Sequence, residues 1–148
     1  MANKNIVSEF VRNNLKYKPD PDAIPRMHRM LYIDRSITDI NVKDSTYHDY
    51  TALHYQAYRG TTGSVAWLLR QDPPPDINVR DSYQSTPLMF AVYSDEDSEG
   101  KVRLLLDHGA DRDFKSNYGG TALDMARRFN KPAAVIDMLE NYRPDVSR

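Results

Sequence analysis

Side chains able to do chemistry are sparse in this 148-residue chain, and few of them are grouped. There are no cysteines, which removes disulfides, thiolate metal sites and a cysteine nucleophile together. Nucleophilic catalysis needs a serine or threonine beside a positioned histidine and an acid, and only four histidines exist. His28, His48, His54 and His108 make no paired metal-ligand spacing. His48 and Asp49 are adjacent, with Tyr47 and Tyr50 on either side, and could contribute to a divalent-cation site; a solvated loop pair is the simpler reading. Asp95-Glu96-Asp97-Ser98-Glu99-Gly100 has calcium-loop residues but lacks the spacing and the terminal bidentate glutamate of such a loop. It reads instead as an extension between helices that puts negative charge at a helix N-terminus. His108, ahead of Gly109-Ala110, falls at a helix C-terminus, where a partly charged imidazole suits the dipole. Gly119-Gly120 are isolated turn glycines rather than a phosphate loop. The expectation is a non-enzymatic chain with no cofactor and no metal.

Composition narrows the class further. At 40% hydrophobic and 28% charged residues the chain matches a globular protein, and one of this size buries roughly 70% of its unfolded surface without needing staples. A net charge of −1 lacks the basic surplus of a general nucleic-acid binder. No apolar run approaches the ~18 residues of a membrane span, and the N-terminus lacks a signal-peptide apolar region. The expected location is cytoplasmic or nuclear, with secretion as an effector by a non-classical route left open. Ten tyrosines against one tryptophan are the compositional anomaly.

The elements that would position these side chains come from an internal repeat. Asp39-Ile40-Asn41-Val42-Lys43-Asp44 recurs 37 residues on as Asp76-Ile77-Asn78-Val79-Arg80-Asp81, and more weakly as Asp111-Arg112-Asp113-Phe114-Lys115-Ser116. Thr51-Ala52-Leu53-His54, Thr86-Pro87-Leu88-Met89 and Thr121-Ala122-Leu123-Asp124 are each 35 apart. Each threonine can cap a helix by accepting from backbone amides, and apolar residues follow at helical spacing. Leu53 with Ala57, Leu88 with Ala91 and Leu123 with Ala126 form an inner face whose alanines permit close helix approach. Second helices at roughly 63 to 71, 99 to 107 and 131 to 141 add Val65, Leu68, Leu69, Val102, Leu105, Leu106, Val135 and Leu139 to the same layer. Leu53, Leu88 and Leu123 are expected to be equivalent buried positions, as are Leu69, Leu106 and Leu139.

On these motifs the chain resembles the ankyrin-repeat family, whose unit runs as a polar turn, Thr-Pro-Leu-His, a short helix, a second helix ending in Leu-Leu, and a Gly-Ala-Asp-Val-Asn loop. Thr86-Pro87-Leu88, Leu105-Leu106 and Gly109-Ala110-Asp111 carry the match in one repeat; Thr51, Leu53-His54, Ala57, Gly60 and Asp76-Ile77-Asn78 carry it in another. Departures are Asp72-Pro73-Pro74-Pro75 in place of Gly-Ala, Gln84 where the turn usually has glycine, and Gln56 and Asp124 in place of alanine and histidine. The resemblance implies an all-α solenoid of stacked antiparallel helix pairs with protruding turns. It also implies that His54 ties adjacent turns together by hydrogen bonds.

The domain reading has three parts. Residues 1 to 38 form an N-terminal amphipathic helix and a degenerate capping repeat, 39 to 141 the repeat array, and 142 to 148 a flexible tail. Within the cap, residues 3 to 16 place Ile6, Val7, Phe10, Val11 and Leu15 on one stripe. Lys18-Pro19-Asp20-Pro21-Asp22 breaks that helix, and residues 26 to 35 form an outer helix with Met27, Met30 and Leu31 facing the core.

In the family it resembles, partner-specific residues lie at the turn tips and at the exposed end of the inner helix. Residue by residue that implies Tyr47, His48, Tyr50, Tyr58 and Arg59, then Ser82, Tyr83, Ser85, Tyr93 and Ser94, then Asn117, Tyr118, Gly120, Arg128 and Phe129. Six of the ten tyrosines fall on this face. Tyrosine offers wide contact and a hydroxyl at low rotamer cost, as interface anchors require. Lys43, Arg80 and Lys115 are expected to give the face a basic edge. The function read from this is non-catalytic binding of a partner protein by a chain that is monomeric when unbound. The alternatives are a stoichiometric inhibitor, such as an IκB-like decoy or host-directed effector, and a small-ligand or metal-dependent activity at Tyr47, His48, Asp49 and Tyr50.

Overall fold

A computed structural model describes residues 4 to 12 and 21 to 143. The expected contribution of Leu15, the helix breaker up to Asp20 and the tail beyond Arg143 lie outside the described residues. Among the described residues the chain is all helix and loop, with a lone antiparallel bridge between Asp44 and Tyr50 at the first turn.

The elements are α1 (Lys4–Arg12), α2 (Ala23–His28) continued by a π-helical turn (Arg29–Ile33), α3 (Ala52–Arg59), α4 (Thr62–Leu69), α5 (Pro87–Tyr93), α6 (Ser98–Asp107), α7 (Ala122–Arg128) and α8 (Ala133–Asn141). From α3 onward they form three inner-outer pairs. The inner helices α3, α5 and α7 pack side by side, and the outer helices α4, α6 and α8 form a second row behind them.

Local chemistry sets each start. Thr51, Thr86 and Thr121 accept from the amides of His54, Met89 and Asp124, and His54 and Asp124 return the bond to the threonine amide, at 3.2 and 3.0 Å. Such a reciprocal pair satisfies two otherwise unpaired amides of the first turn. Thr61 and Ser64 do the same for α4. In the acidic run, Asp97 accepts from the Gly100 amide and caps α6, with Glu99 in its first turn.

The stack is closed by residues from both helix rows. Leu53, Leu88, Ala57, Ala91 and Ala126 are buried, as are Val65, Leu68, Leu69, Val102, Leu105, Leu106, Val135 and Leu139. Leu123 departs from the expected equivalence. It is only half-buried, because α7 has α5 on one side and, among the described residues, no further inner helix on the other. At the opposite end Val7, Phe10 and Val11 of α1 join the core, and α1 lies on α3. Met27 and Met30 are buried and Leu31 half-buried, on a helix that starts at Ala23 and widens into the π turn rather than running from 26 to 35.

Polar links recur between neighbouring repeats. The amide oxygen of Asn41 accepts from the Asp76 amide at 2.7 Å, and that of Asn78 from the Asp111 amide at 2.9 Å. At the tips, Ser82 donates its amide to the His48 carbonyl, and Asn117 to the Tyr83 carbonyl. Asp49, Gln84 and Gly119, spaced by 35, all have positive φ, at 58°, 61° and 87°. Gln84 therefore adopts the left-handed backbone that glycine takes at the third tip, and the turn keeps its shape.

Candidate functional site

A concave groove of about 440 Å³ runs across the inner helices and the turn tips. Tyr47 and Tyr50 line it at the first tip; Tyr58, Arg59, Tyr93, Arg128 and Phe129 line it at the inner-helix ends, with Tyr118 at the last tip. Eight of the ten expected site residues thus share one concavity. The other two, His48 and Tyr83, lie beside it in the tip row: His48 to Tyr83 is 5.1 Å between ring centres, and Tyr83 stacks on Tyr118 at 5.4 Å.

The rings form two ladders, one along the tips in strict 35-residue register and one along the inner-helix ends, where Phe129 falls one place past it. His48, Tyr83 and Tyr118 are 35 residues apart along the tips. On the helix side Tyr58 meets Tyr93 at 5.6 Å, and Tyr93 meets Phe129 edge-on at 5.2 Å. Aromatic pairs at these separations add to the area they bury, so the floor is prearranged. Tyr93, Tyr118 and Phe129 remain 46%, 64% and 45% exposed, an apolar area available to a partner.

Tyr55, Phe90 and Met125 also line the groove and were not anticipated. They too are 35 apart, three residues before Tyr58, Tyr93 and Arg128, so one helical turn earlier on the same face. The repeat register was the signal that would have found them. Phe90 joins the tip to the helix row, meeting Tyr50 edge-on at 5.0 Å and Tyr58 at 6.3 Å.

Charge on the groove is one-sided. Its lining contains Arg59 and Arg128 and no carboxylate. The expected basic edge is not part of it: Lys43 donates to the Arg80 carbonyl, and the Arg80 guanidinium lies over Phe114 at 4.0 Å. Burial, and then the negative charge of Asp81, push the Tyr50 phenol up to about 12, which keeps it a neutral hydroxyl. The Tyr55 phenol is also raised, chiefly by burial.

Two buried carboxylates support the tips. Burial raises Asp44, but hydrogen bonds from the Thr46 hydroxyl and amide and from Ser8, with the Arg12 charge, outweigh it and leave the carboxyl below its ordinary value. Arg12 reaches Asp44 from α1 at 3.2 Å and also lies 4.5 Å over the Tyr47 ring. Asp81, 37 residues on, accepts from the amides of Tyr83 and Ser85 through one oxygen, while the other is buried without a partner among the described residues. Burial accordingly raises Asp81 above the usual range.

The histidines are committed to structure. His54 is buried, bonded at Nδ1 by Thr51 and at Nε2 to the Ser85 carbonyl, 2.9 Å away. This is the tie between turns that the motif implied, and burial pulls its pKa down to about 4. His108 hydrogen-bonds the Leu104 carbonyl at the end of α6. His48 packs among Tyr47, Tyr50 and Tyr83, and His28 against Tyr32 and Trp67. Among the described residues no three of His, Asp and Glu converge in a way that could hold a metal ion. No described helix is long and apolar enough to cross a membrane.

Comparison with known proteins agrees with this architecture. The family described as ankyrin repeats matches residues 2 to 111 with three copies. The match takes in the segment read from sequence as a cap and stops ahead of α7 and α8, where the 35-residue pattern continues. The chain is similar to the transient receptor potential cation channel subfamily A member 1 homolog of Caenorhabditis elegans, 34% identical over 133 residues, which is 82% of this chain. It is also similar to delta-latroinsectotoxin-Lt1a of Latrodectus tredecimguttatus, 30% identical over 102 residues, or 65% of this chain. The chain spans 10% and 8% of the lengths of these two relatives.

Proposed function

The chain belongs to the ankyrin-repeat family, whose members generally mediate protein–protein interaction without catalysis, and on that premise we propose that it grips a partner protein in its aromatic groove. The observation supporting this is the alignment of Tyr58, Tyr93 and Phe129 into one continuous row along the groove. These rings are held by their neighbours, so little side-chain freedom is lost when a partner covers them. They are also aromatic, with Tyr93 on the middle inner helix, the features of residues that dominate interface energies. The unbound chain acts as a monomer in this reading, and its partner is a protein rather than a nucleic acid or a membrane.

The test is a double variant, Tyr58→Ala with Tyr93→Ala, in affinity capture from the native source. Retained helicity and melting temperature with loss of the captured protein is the expected result. A folded variant that still captures the same protein moves the binding face elsewhere.

A further inference from the structure

We propose that the groove reads an extended, acidic segment of its partner, holding two carboxylates about five to six residues apart, one on Arg59 and one on Arg128. This deepens the reading above and rests on it.

Several basic side chains outside the groove are engaged within the molecule: Arg12 pairs with Asp44, Arg29 with Asp34, Arg127 with Glu140 and Lys131 with Asp95, while Lys43, Lys101 and Arg112 donate to backbone carbonyls. Arg59 and Arg128 make no ion pair among the described residues, although the chain carries 21 acidic residues. Both line the groove, and no carboxylate does. The Arg59 guanidinium rests 4.6 Å over the Tyr58 ring, which orients it while leaving its donors for a ligand. Low-dielectric ring walls on both sides strengthen an incoming ion pair.

Spacing follows from the stack. Arg59 ends α3 and Arg128 ends α7, with α5 between them. Packed helices stand about 8–10 Å apart, so the two guanidinium stems are separated by about 16–20 Å. An extended chain covers that distance in about five to six residues at ~3.3 Å each. A groove of about 440 Å³ holds a few side chains and not a helix about 10 Å across running its whole length. Between the two acids, apolar or aromatic side chains would lie on Phe90 and Tyr93.

The test uses the whole chain and a fluorescein-labelled peptide, Glu-Pro-Leu-Tyr-Pro-Glu, whose prolines keep it extended and whose glutamates are five positions apart. Fluorescence anisotropy should show saturable binding that weakens with salt. Replacing either glutamate with glutamine, or making Arg59→Gln or Arg128→Gln, should weaken binding by about tenfold or more, while Arg29→Gln, outside the groove, should not. No binding, equal binding of the glutamine peptide, or equal binding of a peptide with adjacent glutamates overturns the proposal. So does tighter binding of a single-stranded oligouridine, whose bases could stack on the same rings. If the peptide fails while Tyr58→Ala with Tyr93→Ala still abolishes partner capture, the acidic motif is wrong and the groove remains the binding face. If that variant keeps its partner, the groove itself is wrong.

Discussion

The Nε2–H of His54 donates to the carbonyl oxygen of Ser85 at 2.9 Å, bridging 31 residues and joining the first inner helix to the second turn. Nδ1 accepts from the Thr51 amide, which assigns the neutral tautomer from the network. Protonating Nδ1 would break that acceptance and put a charge in the core.

Acid should therefore weaken the fold at this point. His54 has a pKa of about 4 in the folded chain against 6.5 when free, so between those values the unfolded chain binds the extra proton. Stability contributed by the neutral imidazole is complete above pH ~6.5 and falls as the pH drops toward 4, by up to ~3 kcal/mol. Chemical denaturation of wild type and His54→Gln should show a stability gap at pH 7 that narrows by pH 4.5. A gap that stays constant would show that the imidazole does not titrate in this window.

Lys101 predicts the opposite end of the scale. Its ammonium is fully buried, donating to the Gly60 carbonyl and the Ser94 hydroxyl, and burial lowers its pKa from 10.5 to about 8. Between pH 8 and 10.5 the unfolded chain keeps a proton that the folded chain releases, so stability rises with pH, by ~3 kcal/mol over the full window. Melting temperature should climb from pH 7.5 to 9.5 in wild type and stay flatter in Lys101→Met. Parallel curves would refute the assignment.

The half-burial of Leu123 predicts unequal costs at three equivalent positions. Leu88→Ala should cost about 2–5 kcal/mol, since Leu88 is enclosed by repeats on both sides. Leu123→Ala should cost less than half as much, measured in urea with unchanged m-value. Equal losses would mean that another apolar surface covers α7 in solution.

Legibility followed the range of the interactions. Thr51, Thr86 and Thr121 announce helix starts because capping is settled within three residues, and the 35-residue recurrence then places the helix pairs. The eight groove residues anticipated at tips and helix ends came from the same register. What escaped was set by other parts of the chain. Tyr55, Phe90 and Met125 look like core residues by type, and only the angular position of each inner helix turns them outward. Asp44 and Asp81 sit at matching points of one hexapeptide, yet their environments differ: the Thr46 hydroxyl bonds Asp44 where Tyr83 gives Asp81 only its amide, and Ser8 and Arg12 come to Asp44 from α1. Leu123 matches Leu53 in sequence and departs from it for want of a neighbour.

The uneven stitching between repeats also gives the molecule a mechanical grain. Links along the stack axis act as springs in series, so a pull on its ends loads every junction equally and the least bonded one yields first. Between the first and second units the load is shared by Asn41 to Asp76, Lys43 to Arg80, His48 to Ser82, His54 to Ser85 and Gly60 to Lys101. Between the second and third, Met89 replaces the bridging imidazole, leaving Asn78 to Asp111, Tyr83 to Asn117, Asp107 to Tyr142 and Lys131 on Asp95 and on the Tyr93 and Ser94 carbonyls. Among the described residues the seam to α1 and α2 shows Ser8 to Thr46, Arg12 to Asp44 and Tyr32 to Gln71, so the junction between the first and second units is the most heavily bonded of the three and the last to open under tension, keeping Tyr58 beside Tyr93.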